Sequence, residues 1–158
     1  GLPKGNIGKI DLAVTPADPH RLYALIEADQ GKGGVYVSYN KGSQFKAMSH
    51  RKELVNRPFY YCNIYSHPNN AGIIYSNANK FMVSKDAGES WEIKGTPHGD
   101  NHDIWINPIN DNIWIQSNDG GANITFNSGK TWTTQFNQPT AEIYQVEVDK
   151  ELYLDHDK

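Results

Sequence analysis

Apolar residues along this chain come in short runs set between clusters of Pro, Asn, Asp and Gly. Arg21-Leu22-Tyr23-Ala24-Leu25 follows Thr15-Pro16-Ala17-Asp18-Pro19, and Ile73-Ile74-Tyr75-Ser76 follows Ser66-His67-Pro68-Asn69-Asn70. Ile113-Trp114-Ile115-Gln116 follows Ile106-Asn107-Pro108-Ile109-Asn110. Each stretch reads as strand, polar turn, strand. No stretch of convincing length carries the 3.6-residue period of an amphipathic helix. The pattern predicts an all-β chain.

A second pattern recurs downstream of each of these turns. Ser38-Tyr39-Asn40-Lys41-Gly42-Ser43-Gln44-Phe45, Ser84-Lys85-Asp86-Ala87-Gly88-Glu89-Ser90-Trp91 and Thr125-Phe126-Asn127-Ser128-Gly129-Lys130-Thr131-Trp132 align as hydroxyl, any, Asp or Asn, any, Gly, then an aromatic at the eighth place. Their starts lie 46 and 41 residues apart. Such a spacing describes a hairpin. A short Asn40, Asp86 or Asn127 side chain bonds to N–H groups of its own turn. Gly42, Gly88 or Gly129 takes the positive φ. Phe45, Trp91 or Trp132 opens the next strand and packs inward. From Pro16, Pro68 and Pro108 to the box glycines is 26, 20 and 21 residues, so the two markers keep register.

Each unit then holds four short strands, in the first at about Lys9–Val14, Arg21–Glu27, Gly34–Ser38 and Gln44–Met48. The units span about 9–48, 60–93 and 103–136, and Tyr144–Val148 with Leu152–Leu154 would begin a fourth at 143–154. Four strands at a period of roughly 40–50 residues mark a β-propeller blade. The expected fold is one propeller domain over 1–158, an arc of three complete four-stranded antiparallel blades plus the start of another. Coincidental hairpins in a sandwich are the alternative, and the shared upstream turn argues against them.

Composition narrows the function classes. The chain has 158 residues and a net charge of −3, with four Trp, nine Tyr, five Phe and fourteen Gly. The mild charge gives no reason to expect nucleic acid. No apolar run approaches the ~20 residues of a membrane helix. Cys62 is the single cysteine and cannot form an intrachain disulfide. The start, Gly1-Leu2-Pro3-Lys4, reads as the interior of a longer protein.

The three boxes resemble the Asp-box, or BNR repeat, found in sialidases, tandem-propeller xyloglucanases, the sortilin-type sorting-receptor domain and photosystem assembly factors. Arg57-Pro58-Phe59-Tyr60-Tyr61, His98-Gly99-Asp100-Asn101-His102-Asp103-Ile104-Trp105-Ile106-Asn107-Pro108, Asn118-Asp119-Gly120-Gly121-Ala122 and Asn137-Gln138-Pro139-Thr140 are similar to large bacterial BNR-repeat proteins labelled glycosyl hydrolases or sortilin-like. That resemblance implies more blades, and a secreted, periplasmic or cell-surface location. The sequence after Val148 departs from the group. The Asp-box specifies a fold element and not an activity.

His98-Gly99-Asp100-Asn101-His102-Asp103 is the densest polar cluster, just before an inner-type strand. It has three readings: a loop capping strand ends, a glycan or substrate contact through His98, Asp100, His102 and Trp105, or a metal set of His98, His102 and Asp103. Asp100, Asp103 and Asp119 are the candidate paired carboxylates for glycoside hydrolysis. Asp119, in Ser117-Asn118-Asp119-Gly120-Gly121, also suits a turn. Phe59-Tyr60-Tyr61, Trp105 and Trp114 suit either sugar stacking or the core between blades. Sialidases clamp a carboxylate with three arginines. This chain holds only Arg21, Arg51 and Arg57 and no Arg-Ile-Pro motif, which argues against that activity. Asn123-Ile124-Thr125 matches the N-glycosylation pattern but overlaps a strand.

No cofactor is implied. Three functions follow: a non-catalytic binding or scaffold platform, part of a glycoside hydrolase whose site is shared with other blades, or a sortilin-like peptide binder lacking the cysteine-rich module. A closed propeller needs about four blades or more. The expected partners are therefore the remaining blades or another chain completing the ring, with a glycan or peptide ligand.

Overall fold

A computed structural model describes residues 1–139. The expected start of a fourth unit at 143–154 lies outside the described residues. Among the described residues eleven strands form three antiparallel sheets in simple up-and-down order. Sheet 1 contains β1 (Ile7–Val14), β2 (Leu22–Ala28), β3 (Gly34–Ser38) and β4 (Lys46–Ser49). Sheet 2 contains β5 (Asn63–Ser66), β6 (Ile74–Asn77), β7 (Phe81–Ser84) and β8 (Glu92–Lys94). Sheet 3 contains β9 (Asn101–Ile106), β10 (Trp114–Asn118) and β11 (Gly121–Thr125).

Two features differ from the sequence expectation. A short 3-10 turn at Lys52–Val55 joins sheets 1 and 2, and its Leu54 is fully buried in the core between them. The third unit shows three strands among the described residues, not four. Its outer segment is held by side chains in place of a regular ladder. The Thr133 N–H donates to Ile124 O at 2.9 Å, but the Ile124 N–H goes to the Thr133 hydroxyl and the Asn123 amide takes the Thr133 carbonyl. Phe136 is fully exposed.

The box hairpins share one geometry. Ser38, Ser84 and Thr125 hydroxyls accept the N–H of Gly42, Gly88 and Gly129 at 2.9, 2.8 and 3.0 Å. Asn40, Asp86 and Asn127 accept the N–H of Gln44, Ser90 and Thr131 at 2.8, 2.8 and 2.9 Å. The turn needs two successive positive φ angles, so the residue before each glycine, Lys41, Ala87 or Ser128, is left-handed too. The N–H of these three residues donates to His20 O, Gly72 O and Asn112 O, in the turn after the first strand of each sheet. The two sequence markers recur together because they are bonded to each other.

Alternation along the strands gives each sheet two apolar faces. Tyr23, Leu25, Val35 and Val37 of sheet 1 meet Ile64, Ile74, Met82 and Trp91 of sheet 2. Tyr75, Phe81 and Val83 of sheet 2 meet Ile104, Ile106, Trp114 and Trp132 of sheet 3. Toward the β10–β11 hairpin the second interface turns polar. Gln116 and Asn123 are fully buried, and amides of Asn101, Gln116, Asn118, Asn123 and Gln135 bond to one another in a chain. Such a network is favourable only because its members find partners.

Candidate functional site

Up-and-down order sends the box hairpins and Pro turns to one end of the sheets. The loops entering β5 and β9, and the β6–β7 and β10–β11 hairpins, go to the other. At that second end the chain gathers Arg57, Tyr60, Tyr61, Asn79, Asp100, His102 and Asp119.

Asp100 is the hub. Its backbone is left-handed, with φ of 52°. The Asp100 N–H donates to Asn79 O at 3.1 Å, and the Asp100 carbonyl accepts the Asp119 N–H at 3.2 Å, so both hairpins fix it. Its Oδ1 accepts the Tyr61 hydroxyl at 2.6 Å and the Asn79 amide at 2.7 Å. Arg57 Nη1 lies 3.5 Å from Oδ2 and donates to the Tyr61 hydroxyl at 3.2 Å. The Tyr61 bond, followed by Asn79 and Arg57, holds the Asp100 carboxyl below the ordinary carboxylate range. Burial, with the bond to Asp100, pushes the Tyr61 hydroxyl up. Asp100 is therefore ionised and held by two hydrogen bonds and an ion pair, which suits an anchor and not a proton donor.

Beside this hub His102 Nε2 lies 2.6 Å from Asp119 Oδ1, on the half-exposed surface. The His102 ring meets Tyr60 and Tyr61 edge-on, with centroids 5.9 and 5.7 Å away. The aromatic run divides. Tyr61 is buried, while Phe59 is 83% and Tyr60 55% exposed. Trp114 is buried between sheets 2 and 3, and Trp105 stands half exposed on the face of sheet 3 turned away from sheet 2.

His98 and Asp103 are not brought to the hub. The His98 ring contacts its neighbouring Gly99 carbonyl at 3.0 Å and lies against Gly120, where an added Cβ would fall 2.9 Å from the His98 Cβ. Asp103 accepts the N–H of Ile104 at 2.7 Å. Among the described residues no three His, Cys, Asp or Glu side chains converge to hold a metal. Counted from the turn prolines, Asp103 occupies the place of Asp11 in sheet 1. Asp11 Oδ2 accepts the Ile64 N–H of the next sheet at 2.8 Å, a structural tie between first strands.

The first strands β1, β5 and β9 stand side by side and line a groove of about 400 Å³, with Asp11, Tyr65 and Trp105 among its walls. Burial raises the Tyr65 hydroxyl well above its ordinary range, with the Asp103 charge adding to the effect. That hydroxyl donates to the His102 carbonyl at 3.2 Å.

Asn79 was silent in the sequence. It lies 21 residues from Asp100, and only the pairing of hairpin with loop joins them. The buried amides had a weak signal in Gln116 and Asn118, polar residues at alternate, inward strand positions.

No protein-family model matches the chain, and no curated protein does. Solved structures do. The GH74 xyloglucanase from Xanthomonas campestris is 15% identical with a TM-score of 0.56, over 81% of this chain and 23% of that one. YCF48 from Cyanidioschyzon merolae is 16% identical with a TM-score of 0.52, over 78% of this chain and 35% of that one. A YCF48 bound to D1 peptide is 19% identical with a TM-score of 0.53, over 78% and 38%. The fold is a β-propeller arc. Each sheet is a blade, with β1, β5 and β9 innermost. The chain spans about a quarter to two fifths of the length of these three structures. Among the described residues no helix is long and apolar enough to cross a membrane.

Proposed function

We propose that this chain is a non-catalytic binding segment of a secreted or cell-surface Asp-box propeller, and that its loop end takes a glycan. The commitment of Asp100 carries this reading. A hydrolase needs one carboxyl poised to donate a proton and a second free to act as base or nucleophile. Asp100 is ionised and shared among Tyr61, Asn79 and Arg57, Asp119 is bonded to His102, and Asp103 bonds its own strand. Phe59 and Tyr60 meanwhile offer exposed ring faces beside Arg57 and His102, a set suited to sugar rings with hydroxyl rims.

A hydrolase sharing its site with further blades is the second reading, favoured by the likeness to a xyloglucanase. Xyloglucan and related β-glucans distinguish the two when reducing ends and binding heat are measured on the same samples. Binding without release of reducing ends is the expected result, with Tyr60→Ala weakening it about tenfold, or ~1.4 kcal/mol. Turnover abolished by Asp100→Asn or Asp119→Asn would overturn the proposal. Binding of peptides but no glycan would replace the ligand class.

A further inference from the structure

Six non-glycine residues among those described have left-handed backbone. Lys41, Ala87 and Ser128 belong to the boxes, and Gln30 turns the β2–β3 hairpin. The other two are Arg57, with φ of 56°, and Asp100, with φ of 52°. They lie on separate loops, yet Arg57 Nη1 meets Asp100 Oδ2 at 3.5 Å. Left-handed backbone costs free energy that glycine avoids, and Arg57 also precedes Pro58, where helical backbone is further disfavoured. The turn itself asks only for the Arg57 carbonyl, which accepts the N–H of Tyr60 at 3.0 Å and of Tyr61 at 3.2 Å. Glycine would supply that carbonyl with less strain, so the side chain needs a reason of its own.

The guanidinium supplies that reason. Its Nη1 is spent on Tyr61 and Asp100, while Nε and Nη2 have no partner among the described residues and the side chain is 54% exposed. The Nε–Nη2 edge is a planar two-donor fork that fits a pair of carboxylate or sulfate oxygens. Asp100 steadies the group from Nη1 and leaves that edge open. Asp119, the other carboxylate at this end, is turned to His102 at 2.6 Å. The same turn carries the exposed rings of Phe59 and Tyr60. We propose that the loop end selects anionic sugars, with Arg57 pairing a uronate carboxylate or a sulfate ester while Tyr60 stacks on the ring. This selectivity rests on the reading of the same end as a glycan site and adds the charge of the ligand to it.

Three β-1,4-linked hexasaccharides that differ only at C6 test it: cellohexaose, its uronate and its 6-sulfate. Isothermal titration should give the better anionic ligand a dissociation constant about tenfold below that of cellohexaose, the gain of roughly one charge-assisted pair. The tighter of the two names the oxyanion. Arg57→Gly should bring the ratio to about one and keep the parent's urea midpoint, because relief of the left-handed backbone offsets the lost ion pair. Arg57→Lys keeps the charge without the fork, so its ratio should fall between the two. Lys130→Gln, which removes an exposed charge at the box end, should keep the full ratio. Equal affinity of the parent for charged and neutral ligands would overturn the proposal and leave the glycan reading standing. An anionic preference that survives Arg57→Gly, or is lost in Lys130→Gln, would overturn it too. A fall in urea midpoint in both Arg57 variants would assign the arginine to the fold instead. Binding of none of the three also sinks the proposal, and xyloglucan then shows whether the glycan reading falls with it.

Discussion

Ser84→Ala isolates the bond that closes the best-buried box. The Ser84 hydroxyl, 1% exposed, donates to Asp86 Oδ1 at 2.8 Å and accepts the buried Gly88 N–H at 2.8 Å. Alanine leaves that donor without a partner, and water cannot reach it. An unsatisfied buried donor costs about 1–3 kcal/mol. The turn cannot easily shift to relieve it, because the Ala87 N–H is anchored on Gly72 O at 2.8 Å and a Cβ at Gly88 would fall 2.9 Å from Val35 Cγ1. A loss of ~2 kcal/mol lowers the midpoint of a domain this size by about 4–8 °C. Urea titration followed by Trp fluorescence and by dichroism measures it, with an unchanged m-value marking a pure stability effect. Ser90→Ala is the control. Its hydroxyl meets Asp86 on the exposed side of the same turn, so its change should stay within about 0.5 kcal/mol. Equal effects from the two variants would refute the idea that burial of the Gly88 donor sets the cost.

Three further outcomes follow from other parts of the chain. Burial pushes the Cys62 thiol up to about 12, so a thiol reagent at pH 8 should leave native protein unlabelled and modify it only as urea unfolds it. Asp100 has a depressed folded pKa, so its contribution to stability is complete above the ordinary carboxylate range and is lost as pH falls through the folded value; Asp100→Asn should flatten the acid limb of stability against pH. Gly34 has φ of 146°, and a Cβ there would lie 1.9 Å from Ser49 O, so Gly34→Ala should cost more than about 1 kcal/mol in the same urea titration.

The fold was legible where local chemistry dictates it. Pro16, Pro68 and Pro108 fix one turn of each blade, and the hydroxyl, Asx and Gly of each box fix another. Strands β2, β3, β6 and β10 lie between such signals. The outer segment of sheet 3 was not legible, because Thr133 spends its hydroxyl on a strand N–H and nothing in the composition of Thr131–Phe136 reveals it. The candidate site was legible in part. His102 and Asp119 were both candidates, but for different roles, and their pairing across 17 residues needed the register of β9 on β10. Asn79 and Tyr61 gained meaning only when the β6–β7 hairpin and the loop entering β5 met at Asp100. Exposure was also hidden. Tyr61 reads like Phe59 and Tyr60 in sequence, yet one ring is buried and its two neighbours are not.

The repeat itself separates the two ends of the arc. At the box end the same atoms are bonded three times over, from Lys41, Ala87 and Ser128 to His20, Gly72 and Asn112. At the loop end the equivalent positions diverge. Gly8, Tyr60 and Asp100 share one place in the repeat, Lys9, Tyr61 and Asn101 the next, and Ile10, Cys62 and His102 the one after. A framework that needed these side chains for folding would hold them similar in chemistry from blade to blade, as it does the box residues. Instead the chain places a glycine, an exposed phenol ring and a bonded carboxylate at the same count from the turn proline, with Gly8 inside a strand, Tyr60 in a turn and Asp100 left-handed. Positions whose chemistry differs from blade to blade, even where one of them, Asp100, also ties its own loops together, are where loops acquire ligand contacts. The divergence therefore supports the proposal that ligand contacts lie at the Arg57–Tyr61–Asp100 end and not at the boxes that reveal the fold.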